Sequence, residues 1–123
     1  MNFKSYVHRR IFNKAVHERK TTSKKYLAAI FLLTSNPAMW NRIKYFIKKD
    51  IIQFDAFTMS GCTEDEYTIF LCAKDIYLDS GNITISELTD PTLIKQPLFI
   101  LILSALEISR HGITMDTNCD GKY

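Results

Sequence analysis

The sequence predicts an all-α, or mainly α, fold: about five helices packed as a compact bundle, with at most one short two-stranded β ribbon. Three observations lead there. Apolar residues recur at three- and four-residue spacing along most of the 123-residue chain. Ser23, Pro37, Thr63 with Glu66, Gly81 and Gly112 punctuate these stretches as helix starts and stops. Finally, 4 Gly, 3 Pro and no Ser/Gly-rich linker or internal repeat make residues 1–112 one helical domain, followed by a polar tail over 113–123.

The first helix is expected from about Lys4 to Arg19, with Phe3, Val7, Ile11 and Ala15 on one stripe that Phe12 and Val16 widen. His8 lies at the edge of that stripe and reads as a packed or hydrogen-bonded structural residue. Thr22 and Ser23 offer cap oxygens to a second helix carrying Tyr26, Leu27, Ile30, Phe31 and Leu33, which is apolar nearly all round and therefore central. It should stop near Asn36, because Pro37 disfavours helical geometry in the residue before it. Pro37 then opens a third helix through Met39, Trp40, Ile43, Phe46 and Ile47, with Lys44, Lys48 and Lys49 outside and near its negative C-terminal end.

Around Ile52, Phe54 and Ala56 the period falls to two, and Ile83 and Ile85 alternate likewise, so residues 52–56 and 83–85 are expected to pair as the minor ribbon. Between them, Thr63 and Glu66 form a capping box for a fourth helix ending near Asp79, with Tyr67, Phe70, Ala73, Ile76 and Tyr77 inward and Gly81 as left-handed terminator. Ser86 caps a short turn at Glu87-Leu88. The last helix starts at Pro91 or Pro97, carries Leu98, Ile102, Ala105, Leu106 and Ser109, and ends at Arg110-His111-Gly112.

Charge divides the chain. Residues 1–50 hold twelve Lys/Arg against two acids, +10, while residues 51–123 hold four against eleven, −7. The longest apolar runs, Tyr26 to Leu33 and Leu98 to Leu103, are too short to span a bilayer, and no secretory leader pattern follows the basic start. The expected compartment is the cytoplasm. Cys62, Cys72 and Cys119 lack any C-x-x-C pairing and read as reduced thiols, and Asn82-Ile83-Thr84 has no meaning as a glycosylation acceptor without a secretory route.

Chemistry decides between the candidate sites. Asp116-x-Asn118-x-Asp120-Gly121 matches the first six positions of a calcium loop, but the carboxylate of position 12 is lacking, and the segment reads as a solvated tail. Cys62 precedes a helix N-terminus that favours a thiolate, yet Glu64, Asp65 and Glu66 oppose it and no base lies near in sequence. His8, His17 and His111 lack zinc-ligand spacing, and phosphate-loop and hydrolase motifs are missing. Residues 64–112 have the layout of a winged helix, but the segment that would read a groove, Thr92 to Leu103, is apolar and reads as core.

Phe3-x4-His8-x3-Phe12, KKYLAAIFLLTSNPAMW and EYTIFLCAKDIYLDSGNITISELTDP followed by LILSALEISRHG resemble a family of small uncharacterised proteins from mobile elements and phages of Gram-positive bacteria. The likeness extends to Gly112. It implies a compact, mainly helical domain in an accessory gene context and supplies no catalytic residues; a mobile-element regulatory or anti-defence role is the expectation.

The expected function is that of a small non-enzymatic accessory or interaction protein. Its partner is a protein or a second copy of the chain, met through a charged face that includes Arg9, Arg10, Arg19, Lys20, Lys24 and Lys25. Nonspecific nucleic-acid binding through the basic half is the alternative, and a thiol enzyme using Cys62 ranks last. No cofactor, metal, membrane or small-molecule substrate is expected.

Overall fold

The computed structural model describes residues 3–18 and 23–113, which form six α-helices and one two-stranded antiparallel ribbon. The mainly α class is thereby found. At the centre lies α2, Lys24–Thr34, buried from Tyr26 to Thr34. A helix apolar on all sides needs cover all round. α1 (Tyr6–Glu18), α3 (Pro37–Ile43), α4 (Glu64–Leu78) and α6 (Gln96–His111) supply it, with α4 and α6 packing most extensively against it.

The stripe of α1 differs from the expected one by a rotation. His8, Phe12 and Ala15 are buried, whereas Val7 is exposed and Ile11 only half-buried. A polar anchor sets the rotation: His8 Nε2 lies 2.8 Å from the Phe31 carbonyl oxygen. The Lys4 amide donates to His8 Nδ1 at 2.9 Å, so the ring proton resides on Nε2, which donates to Phe31. The rings of Phe3 and Phe31 flank the imidazole at centroid distances of 5.1 and 4.7 Å.

Helix starts follow local chemistry. Ser23 Oγ accepts from the Tyr26 amide, Asn36 Oδ1 from the Met39 amide ahead of Pro37, and Thr63 with Glu66 closes the expected capping box. A second box, Thr84 with Glu87, heads α5, Ile85–Leu88, so the cap is Thr84 and not Ser86. α4 ends on Asp79, itself left-handed at φ 58°, two residues before Gly81. Tyr67 is exposed, and Ile69 and Cys72 join Phe70 and Ala73 inside instead. On α6, which begins at Gln96, Leu98, Ile102 and Ala105 face inward as expected, with Leu101, Ser104 and Ile108 beside them, while Leu106 is exposed.

The ribbon lies elsewhere than expected. α3 stops at Ile43, and a 3₁₀ turn over Lys44–Phe46 leads into β1, Ile47–Lys48, which pairs with β2, Ile51–Ile52. Ile47 and Ile52 oppose each other facing inward, and Lys48 and Ile51 oppose each other facing out. Residues 54–56 instead form a 3₁₀ turn, and residue 85 opens α5. Lys49 and Asp50, both left-handed at φ 51° and 65°, make the two-residue turn that closes the hairpin locally, without the long loop that pairing residues 52–56 with 83–85 would require. Lys48 and Lys49 therefore cap no helix.

Desolvation is the main reason that the His8 pKa falls from 6.5 to about 4, opposed by the bond to Phe31 and reinforced by the Lys4 charge. Between these values the unfolded chain binds the proton and the folded chain does not, so stability is complete above pH 6.5 and declines as pH falls towards 4. The loss should reach about 3 kcal/mol in urea titrations across that window. His8→Phe should flatten that dependence. A parent protein whose stability varies no more than the variant's would contradict the buried neutral imidazole.

Candidate anion-binding surface

Four of the six cations expected at a partner face lie among the described residues. Arg10 is exposed on α1, Arg9 is half-buried on its flank, and Lys24 and Lys25 are exposed on the first turn of α2. Arg19 and Lys20 lie outside the described residues, as do Thr22, Cys119 and the half calcium loop at 116–121.

The structure brings further cations to Lys24 and Lys25. Gly112 closes α6 at φ 79°, and a Cβ built there would stand 3.6 Å from Lys24 Cγ and Cε. The Lys24 stem therefore lies against the end of α6, beside Arg110 and His111. At the far end of α4, the Tyr77 ring packs 6.4 Å from that of Tyr26, while its hydroxyl donates to the Asp50 carbonyl at 3.3 Å and accepts from the Ile52 amide at 3.4 Å. That hydroxyl ties the hairpin, with Lys48 and Lys49, to the N-terminal end of α2. His8 near the start of α1 bonds Phe31 near the end of α2, which anchors the start of α1 at the opposite end of the central helix.

Among the described residues, no acid forms a salt bridge with these cations. Among the described residues a single salt bridge forms, Lys74 to Asp55 at 3.2 Å. Lys24, Lys25, Lys48, Lys49 and Arg110 pair with no described carboxylate. Asp75 is turned into its own loop, accepting from Ser80 Oγ, the Asn82 amide and side chain, and the Ile83 amide at 2.6 to 2.9 Å. Partial burial raises its pKa, but those four bonds outweigh it and hold the carboxyl below its usual range. Asp50, beside Lys49 in the hairpin turn, and Asp79, which closes α4, belong to the same end.

Helix electrostatics do not account for Lys24 and Lys25. The first turn of α2 carries no acid, so two ammonium groups sit at the positive end of the helix dipole. On α1, Tyr6, Arg10, Asn13, Lys14 and His17 are all exposed at three- and four-residue spacing, with no acid among them.

The remaining chemical candidates are structural in their contacts. Cys62 is half-buried, and its Sγ accepts from Arg42 Nη1 at 2.9 Å. Arg42 Nη2 donates to the Thr58 and Ser60 carbonyls at 3.2 and 2.8 Å, and the guanidinium lies 5.2 Å from the Phe57 ring centroid. Arg42 thus clamps the loop before α4. Burial, with Asp75 and Glu87 adding to it, pushes the Cys72 thiol up to about 12. No histidine bonds Cys62, and no group of three potential metal ligands occurs among the described residues. No described helix is long and apolar enough to cross a membrane.

Sequence reasoning missed Arg110, Lys48 and Lys49 as members of the cationic end. Arg110 sits in the half whose net charge is −7, and only the packing of α6 against α2 reveals it. No family model, curated protein or solved structure matches the chain.

If Lys24 and Lys25 are held against the helix dipole, Lys24→Glu and Lys25→Glu should each raise stability by about 0.3 to 1 kcal/mol at low ionic strength. Urea unfolding measures this. Variants no more stable than the parent would show that the dipole does not oppose these lysines.

Proposed function

We propose that the chain is a small non-enzymatic accessory protein that docks an anionic macromolecule on the cationic end of its helical bundle. One observation carries this reading: Lys24, Lys25, Lys48, Lys49 and Arg110 arrive from three parts of the fold, unpaired with any described acid. The likeness to small mobile-element and phage proteins suits a regulatory or anti-defence role. A second copy of the chain is one candidate partner, since Glu64 and Asp65 stand exposed at the start of α4.

Nonspecific nucleic-acid binding is the second reading, favoured by the acid-free outer face of α1 from Tyr6 to His17. A thiol enzyme has the least support, because the Cys62 sulfur meets Arg42 and no base.

Fluorescence anisotropy against labelled DNA, RNA and poly-glutamate over a salt series tests the docking surface, with sedimentation reporting self-association. Affinity for at least one polyanion, or for a second copy, should fall steeply with salt. The triple variant Lys24→Gln, Lys25→Gln, Arg110→Gln should bind about tenfold or more weakly while keeping its helical circular dichroism, each tenfold being about 1.4 kcal/mol. Affinity unchanged in that variant, or no association of any kind at low salt, would remove the proposal.

A further inference from the structure

The β1–β2 hairpin adds a feature that a surface built only for charge does not need. Tyr45, just before it, is 72% exposed, and Ile51 on its outward face is 58% exposed. Lys44 Nζ lies 5.4 Å from the Tyr45 ring centroid, and Lys48 stands across the ribbon from Ile51. Lys49 is at the tip, no more than about 13 Å along the strand from Tyr45.

This arrangement is held in place. Lys49 and Asp50 both occupy the left-handed region, which Asp tolerates as a single residue but which costs a lysine about 1 kcal/mol or more, where Asn-Gly would be the relaxed choice. The Tyr77 hydroxyl grips the turn from behind. The local strain presents Lys49 as a lysine at a fixed position, as strain does at binding sites.

We infer that the hairpin is a single-stranded nucleic-acid contact, in which an unpaired base stacks on Tyr45 while Lys48 and Lys49 bind the neighbouring phosphates. This rests on the cationic end being a docking surface and names its ligand. An exposed aromatic ring beside lysines matches the alternation of π-face and phosphate in a single strand. A duplex hides its bases from such a ring, and an acidic polypeptide offers carboxylates without a π-face to stack. Lys24 and Lys25, at the same end of the bundle, extend the path for the phosphate backbone.

The test is anisotropy of a labelled oligothymidylate, against a duplex, poly-glutamate and anionic lipid vesicles as competitors, using the full chain. The single strand should bind most tightly. Tyr45→Ala should weaken it about tenfold, within the range of base-stacking contributions, and leave the salt dependence unchanged, while Tyr45→Phe binds like the parent. Lys48→Gln with Lys49→Asn, the latter suited to the left-handed turn, should make the negative slope of log affinity against log salt shallower by about 1.4, or about 0.7 for each phosphate left without its lysine.

The inference is overturned if Tyr45→Ala binds like the parent, if Tyr45→Phe is as weak as Tyr45→Ala, or if duplex, poly-glutamate or vesicles compete better than the single strand. If Lys24→Gln with Lys25→Gln weakens polyanion binding while Tyr45→Ala does not, the docking surface stands and only the ligand assignment falls. If no polyanion binds, both fall.

Discussion

The last turn of α2 ends in the protein interior, where its carbonyl groups are out of reach of water and side chains add to the backbone bonds that satisfy them. A buried, unsatisfied carbonyl costs about 1 to 3 kcal/mol, so an enclosed helix terminus is tolerable only when side chains reach it. Three do. Thr34 Oγ1 donates to the Ile30 carbonyl at 2.7 Å, His8 Nε2 to that of Phe31 at 2.8 Å, and Ser35 Oγ to that of Leu32 at 2.6 Å. Of these, Thr34 and Ser35 are local to α2, and His8 alone comes from another helix. It fixes the rotation of α1 about its own axis. The aromatic contacts of Phe3 and Phe12 with Phe31 then fill the space around that bond.

Enclosing one end of α2 determines what the other end can be. With the Tyr77 end of α4 beside Tyr26 and Gly112 against Lys24, the N-terminal end of α2 is where α4 and α6 finish. These helix C-termini carry partial negative charge and favour a nearby cation such as Arg110. That explains part of the positive charge by stability alone. It does not explain Lys24 and Lys25, which belong to the one helix that begins there, nor Lys48 and Lys49, which belong to no helix. The surplus beyond what the dipoles favour is what supports a docking role.

Much of the fold is legible in the sequence because it is written in short-range chemistry. Ser23, Asn36-Pro37 and the Thr63–Glu66 box need only a few residues to act, and each marks a helix start in the structure. The all-round apolar character of Tyr26 to Leu33 likewise announces the central helix. The errors arise where a distant partner decides between local options. Val7 and Ile11 fit a stripe as well as Phe12 does, and only the Phe31 carbonyl selects the rotation that buries His8. Lys48 and Lys49 fit a helix end by charge, but Ile47 and Ile52 gain more by closing a hairpin over Tyr77. For the candidate surface, Lys24 and Lys25 are visible as a charge run, whereas Arg110 joins them only through the third dimension.

The hairpin shows how stability and presentation separate in this small domain. Its inward pair, Ile47 and Ile52, is buried and anchors the ribbon, so the outward pair, Lys48 and Ile51, contributes little to the core. A chain selected only to close this turn would place Asn-Gly where Lys49 and Asp50 stand, and would keep Tyr45 and Ile51 from solvent. The Tyr77 hydroxyl, bonded to both Asp50 and Ile52, offsets part of the turn's strain and transmits the position of α4 to the tip. The exposed residues are thus mounted on a ribbon that Tyr77 ties to the start of the central helix. This is the geometry expected of groups that meet a partner in a fixed orientation.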